Sequence, residues 1–228
     1  MFLLGLIALF SLLCSIAASG VTNPALMEQG FLSFGSTGHL QVSPTLYGEC
    51  ARGICNYLNG KTDTITWAEN GEDMFSEKEM LHLADVRGIV NFLKIARWAG
   101  GGIAILGIAA ANFLARYRGQ KSLMSEVFRG FAAASAAWLA CGVILGIWGL
   151  VNFDGLFVTF HLAAFANDLW ILNPNTDLMV ALMPLPFFTW YAGELLKSLL
   201  PVVGIMICLP VAWFRLGRKE KEEGGGEA

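Results

Sequence analysis

The segment Thr159–Asp177 reads TFHLAAFANDLWILNPNTD and lies between two strongly apolar stretches of chain. It gathers His161, Asn167, Asp168, Trp170, Asn173 and Asp177 into one short polar island. An apolar scaffold has no folding reason to place a histidine, two aspartates and an indole together, so this is the expected working site. If its first half is helical, His161, Phe165, Asp168 and Leu172 share one face. Asn173-Pro174 then predicts an N-cap and the first residue of a second helix.

The apolar flanks set the class of protein. The chain is 55% hydrophobic and 14% charged, against about 25% charged residues in an ordinary soluble domain. Its apolar residues come in long blocks instead of alternating stripes, which predicts an all-α integral membrane protein. Four transmembrane helices are expected, near residues 2–18, 89–115, 131–151 and 195–214. No G-x-x-x-x-G-K-[ST] loop occurs, and no G-x-G-x-x-G follows a predicted strand. Nothing in the chain calls for ATP or a dinucleotide, and no nucleotide or nucleic-acid partner is expected. Haem held between His82 and His161 is the less favoured cofactor reading, since membrane haem ligands commonly sit within spans.

Between the first two spans, residues 19–88 are polar and too long for a plain connector, so they are expected to form an extracytoplasmic loop domain. Within it, Ser76 and Glu79 make an S-x-x-E capping box that starts a helix, with Glu79, His82 and Asp85 along one face. Lys94 and Arg97 fall at the outer end of the second span, where long cationic chains reach the interface. Residues 152–194 form the extracytoplasmic site segment. Its Leu178–Tyr191 portion, broken by Pro184 and Pro186, is expected to be interfacial or re-entrant. Residues 215–228 read as a charged, disordered cytoplasmic tail.

Charge sets the orientation. Arg116, Arg118, Lys121 and Arg129 surround the second connection, and the tail opens with Arg215, Arg218, Lys219 and Lys221. Residues 152–194 carry no lysine or arginine. The positive-inside rule therefore predicts cytoplasmic termini, with His82 and His161 arriving at the same outer surface. His39, in a Gly/Ser/Thr-rich stretch, reads as merely exposed. Cys50 and Cys55, spaced C-x4-C, leave a disulfide open, though their side chains would diverge on one helix.

A carboxylate near an imidazole fixes its tautomer and raises its basicity, as general acid-base chemistry requires. His82 and His161 are each followed by an acid, Asp85 and Asp168. A serine elbow of the G-x-S-x-G kind is missing, as are an H-E-x-x-H motif and a cysteine cluster for zinc. Two other readings stay open: a non-enzymatic envelope subunit or sensor with an outer binding domain, and a thiol oxidoreductase using Cys50 and Cys55.

The segment FSEKEMLHLADVRGI resembles the E-x-x-HL-x-DV motif of the lipoprotein intramolecular transacylases, a family of small bacterial membrane enzymes. FHLAAFANDLWILNPNTDLM resembles their second motif, roughly FH-x3-F-x-ND-x-W-x-L-[DN]-P-x-TD-x-[LIM]. The four-span layout and YLNG at Tyr57–Gly60 agree as well. Leu185 and Asn173 depart, standing where that family tends to carry acids.

The resemblance implies a cofactor-free reaction within one substrate molecule, in the bacterial cytoplasmic membrane. The sn-2 acyl chain of a diacylglyceryl-modified lipoprotein N-terminus moves to the α-amino group of its cysteine, yielding the lyso form. His161 and His82 would be the acid-base pair, with Asp85 or Asp168 orienting them and Asn167 donating to the oxyanion. Arg87, Lys94, Arg97, Trp170, Phe165 and Asp177 would line the substrate site, beside membrane phospholipid. No metal is implied.

Overall fold

The computed structural model describes residues 1–119 and 123–224, with side chains described to Arg215. Lys121 of the basic connection, and the tail side chains of Arg218, Lys219 and Lys221, lie outside the described residues. Among the described residues, eight α-helices follow in order: α1 (Phe2–Val21), α2 (Pro24–Phe34), α3 (Tyr47–Leu58), α4 (Glu77–Tyr117), α5 (Met124–Val151), α6 (Phe153–Ala164), α7 (Leu178–Leu182) and α8 (Leu185–Gly224). Four of them, α1, α4, α5 and α8 (to Arg215), are long and apolar enough to cross a membrane. Exposed Trp98, Ile105, Phe113, Ile144 and Leu150 on these helices form the apolar surface that lipid covers. The chain is a multi-pass membrane protein.

Contacts divide the chain into two compact units. One comprises Met1–Cys14, Ala96–Ile147 and Ser198–Ala228. Its helices meet over small residues, as packing in lipid favours. A Cβ on Gly5 would lie 3.0 Å from the Ala134 methyl, and one on Gly107 would lie 2.6 Å from Leu4. The indole of Trp138 donates to the Leu6 carbonyl at 3.3 Å and stacks on Phe10 with centroids 5.9 Å apart. Pro201 and Pro210 stand inside α8, where membrane helices tolerate proline.

The other unit comprises Ser15–Ile95 and Trp148–Lys197. Its core joins Phe31 of α2 and Cys50, Ile54 and Leu58 of α3 to Leu182 of α7 and Phe187 of α8. Asn23 caps α2, accepting from the Ala25 and Leu26 amides, with Pro24 in the first turn. Gly30 is dictated by close approach, since a Cβ there would sit 2.4 Å from the Phe187 ring. Gly60 follows the end of α3 with φ +74, the left-handed turn that ends many helices. Cys50 and Cys55 are free and buried, and burial pushes both thiols up to about 12. That environment suits packing and not the thiolate that redox chemistry requires.

Two expectations need correction, the start of the fourth apolar helix and the tail. The fourth apolar helix begins at Leu185, ten residues before the expected span. Pro184 and Pro186 flank its start, where amides need no helical acceptor. Leu178, Met179 and Leu182, together with Phe187 and Tyr191, are buried in the protein core. The tail expected to be disordered continues α8 to Gly224.

Candidate active site

The capping box forms as its sequence predicts, and this start to α4 positions His82. Glu79 Oε2 accepts from the Ser76 amide at 2.8 Å and the Ser76 hydroxyl at 2.7 Å. What the motif does not reveal is the second job of Glu79. Its other oxygen accepts from the Met179 amide at 2.6 Å, and the residue is only 2% exposed. One buried carboxylate thus joins the first turn of α4 to the first turn of α7.

His161 comes from α6, which ends sooner than expected. Asn152 caps that helix through the Gly155 amide at 2.9 Å, and the helix closes at Ala164 with Phe165 in extended conformation. The shared face of His161 and Asp168 therefore does not exist. Residues beyond Phe165 leave the helix because Asn167 turns its side chain back onto the Leu169 amide at 3.1 Å, the competition with helix that asparagine favours. Asn173 likewise makes a single turn, accepting from the Asn175 amide at 3.0 Å. The helix itself starts only after Asp177.

Within this frame the two histidines meet. Their ring centroids are 6.2 Å apart at an interplanar angle of 29°, and they are 7% and 8% exposed. Phe165 touches both rings, at 5.1 and 5.5 Å. Trp170 lies 4.8 Å from His161 on another side, and Phe157 lies 4.1 Å away. An aromatic cage thus holds both imidazoles out of water.

The hydrogen bonds fix what His161 can do. Its Nδ1 lies 2.7 Å from the Phe157 carbonyl. A carbonyl only accepts, so the hydrogen sits on Nδ1 and Nε2 keeps its lone pair. Among the described residues, the Nδ1 of His82 and the indole Nε1 of Trp170 are buried without a hydrogen-bond partner. Such groups are uncommon in a settled core.

At 41 residues, α4 is about 60 Å long, twice the ~30 Å hydrocarbon thickness. His82 stands in its first turns, ahead of the apolar stretch. There burial pushes its pKa down to about 4, helped by the neighbouring His161 and opposed by Asp85. His161 is also lowered by burial, partly offset by its bond to the Phe157 carbonyl. Both rings are therefore neutral at pH 7, and protonating one disfavours protonating the other.

The other expected residues divide into two groups. Asp85 does not hydrogen-bond an imidazole; its Oδ2 accepts from the side-chain Nδ2 of Asn167 at 2.9 Å. Together they stand at a groove of about 480 Å³ lined by Ala84, Gly88, Ile89 and Phe92 of α4 and residues 164–167. The histidines are not part of that lining, but Phe165 belongs to both groups.

The remaining residues make contacts within the protein. Arg87 pairs with Asp63 at 3.4 Å and lies over the Tyr57 ring at 4.9 Å, while Lys94 donates to the Leu58 carbonyl at 3.3 Å. Arg97, in the first-described unit, lies over Trp98 at 5.2 Å. Asp177 accepts from the Asn173 amide at 2.7 Å and the Thr176 hydroxyl at 3.0 Å. Asp168 is exposed and makes no side-chain hydrogen bond among the described residues.

His39, expected to be merely exposed, has its Nε2 2.9 Å from the Pro174 carbonyl. Lys78 reaches the Ile171 carbonyl at 2.5 Å. Both contacts, unread in the sequence, tether the segment that carries Trp170.

Comparison with known proteins agrees with this architecture. The family model described as "Lipoprotein intramolecular transacylase Lit" matches residues 1–188. The fold is similar to that of the membrane integral lipoprotein intramolecular transacylase Lit from Bacillus cereus, with a TM-score of 0.69 at 20% identity, covering 97% of this chain and 96% of that one. Structures of that protein with one histidine replaced are similar too. The arginine variant gives a TM-score of 0.62 and the alanine variant 0.65, each at 20% identity over 97% of this chain and 93% and 94% of theirs. Comparison with curated proteins returns no match.

Proposed function

Since the chain belongs to the lipoprotein intramolecular transacylase family and is an acyltransferase, we propose that its His82–His161 pair moves the sn-2 acyl chain of a diacylglyceryl-cysteine onto that cysteine's α-amino group. An α-amine has a pKa near 8, so at neutral pH most of it carries a proton that must leave before it attacks. The neutral His161 Nε2 is the base. It takes the ammonium's first proton and passes it to solvent; the amine nitrogen then bonds to the ester carbonyl carbon, a second proton passes from nitrogen to Nε2, and a tetrahedral oxyanion forms. The carbon–oxygen bond to the glyceryl group then breaks, and the imidazolium returns its proton to the departing oxygen. The product is the N-acyl, S-monoacylglyceryl form. Exchanging an ester for an amide runs downhill; of the two protons the ammonium gives up, one ends on the glyceryl oxygen and one in solvent.

Neutral His82 supports this cycle by leaving His161 as the ring that takes the charge. Asn167 keeps a second amide hydrogen beyond its bond to Asp85, and the indole N–H of Trp170 lies beside the base; either donor suits the oxyanion. Both reacting groups hang on one cysteine, so the site's main task is to hold them in attacking geometry. By the charge bias of its connections, the protein sits in the bacterial cytoplasmic membrane with both termini inside and the histidines at the outer face.

The single observation that carries this reading is His161 itself: its tautomer is fixed by the Phe157 carbonyl, beside a second buried imidazole. The test is transacylation of a synthetic diacylglyceryl lipopeptide by the purified protein and by His161→Ala. The variant should lose about 10²–10⁴-fold in rate. A variant as active as the parent protein would leave the histidine structural and favour a non-catalytic role.

A further inference from the structure

The groove beside the histidines has a chemistry that the acid-base pair does not use. Ala84, Asp85, Gly88, Ile89 and Phe92 follow one face of α4 into the apolar part of that helix, about 10 Å from Asp85 to Phe92. Among the described residues, Asp85 is the only charged one in the lining. Its Oδ2 takes the Asn167 amide, while its Oδ1 makes no hydrogen bond among the described residues. The nearest cation in sequence, Arg87, is turned to Asp63. The remaining α4 wall is apolar, and a Cβ on Gly88 would meet nothing within 4 Å.

An uncompensated carboxylate at the polar end of an apolar trough calls for an amphiphile with a cationic head and an alkyl chain. Building on the transacylase reading, we infer that Asp85 is the receptor for the substrate's α-ammonium group and that an acyl chain of the same molecule lies along Gly88, Ile89 and Phe92. Asn167 holds the carboxylate in place. His82, one turn earlier on the same helix face, and its partner His161 stand close to the amine so bound. A carboxylate beside an ammonium raises the amine's pKa. Asp85 thus binds the charged substrate tightly and leaves proton removal to the imidazole.

The probe is a lipopeptide whose diacylglyceryl esters are replaced by ethers, so that it binds without reacting, compared with its N-acetylated counterpart. The protein should bind the free-amine form about ten- to a hundred-fold more tightly, the value of a charge-assisted hydrogen bond. Asp85→Asn should abolish that preference, and Asp85→Glu should retain most of it. In Asp85→Asn the midpoint of the kcat rise with pH should also move lower, because the bound amine loses its stabilising anion; a merely structural role would not move it. Gly88→Leu, which fills the trough, should weaken both probes alike.

A lipid such as phosphatidylethanolamine offers the same ammonium and chains. It should displace the probe poorly. Equal competition by phosphatidylethanolamine, or an unchanged preference in Asp85→Asn, overturns the assignment. Should the parent protein convert the ester lipopeptide yet show no preference for the free amine, this inference fails while the transacylase reading stands. Should it convert nothing, that reading fails first.

Discussion

At the scale of single residues, the chemistry rests on two imidazoles kept neutral by burial. Neutrality fixes the acid limb of the reaction. His82 is held near 4 and His161 below its ordinary value of 6.5, so the essential base should not be titrated until the pH falls below 6.5. The rate measured with an ester lipopeptide should thus show no histidine limb centred at 6.5 or above. A limb centred near 6.5, distinct from the amine's own rise near 8 or above, would place the acting imidazole in water. His82→Ala should also slow the reaction strongly, because the ring that helps exclude charge and water from His161 would be gone. The histidines were legible in the sequence because each precedes an acid at helical spacing and the charge pattern brings their segments to the same outer surface. The roles of those acids were not legible: whether a carboxylate reaches an imidazole depends on where each helix stops, and Asn167 stops α6 too soon for Asp168.

At the scale of elements, the start of α4 does the organising. Its first turns supply Glu79 to the Met179 amide, Lys78 to the Ile171 carbonyl and Asp85 to Asn167. They also carry His82. The segment after α6 has little regular structure and keeps its form through these tethers. Removing Glu79 strips acceptors from the Ser76 and Met179 amides at once. Glu79→Ala should therefore destabilise the protein by about 2 kcal/mol or more. Thermal unfolding in detergent measures that loss, and amide exchange should show α7 losing protection before α3; equal protection in both would contradict the tether. The capping box was readable from S-x-x-E alone. The long-range half of the bond was not, because nothing local to Leu178–Leu182 marks its amide as the partner of a residue 100 positions earlier. The four apolar helices were readable for the opposite reason: length and composition alone decide which can cross a bilayer. Their ends were less so, since prolines 184 and 186 look like breakers but serve as a helix start.

For the whole molecule, the lowered histidines link stability to pH. The folded protein binds fewer protons at these sites than the unfolded chain in the interval between about 4 and 6.5. Stability from His82 is therefore fully present above 6.5 and is lost as the pH falls toward 4. Melting in detergent should drop over that interval, and His82→Asn should flatten the drop; an unaltered slope in the variant would assign it to other groups. Orientation is testable separately. A cysteine introduced at Asn175 should react with an impermeant maleimide in intact cells, and one introduced at Ala228 should not; the reverse pattern would put the histidines inside.

The most direct test follows from the reaction being an isomerisation. A diacylglyceryl lipopeptide and its transacylated product have the same mass and differ only in where one acyl chain is attached. Tandem mass spectrometry after incubation with the purified protein should therefore find the parent ion unchanged and a new N-acyl-cysteine fragment, absent with His161→Ala. A spectrum that retains the diacylglyceryl fragment and a free amine, with the active protein present, would contradict the account.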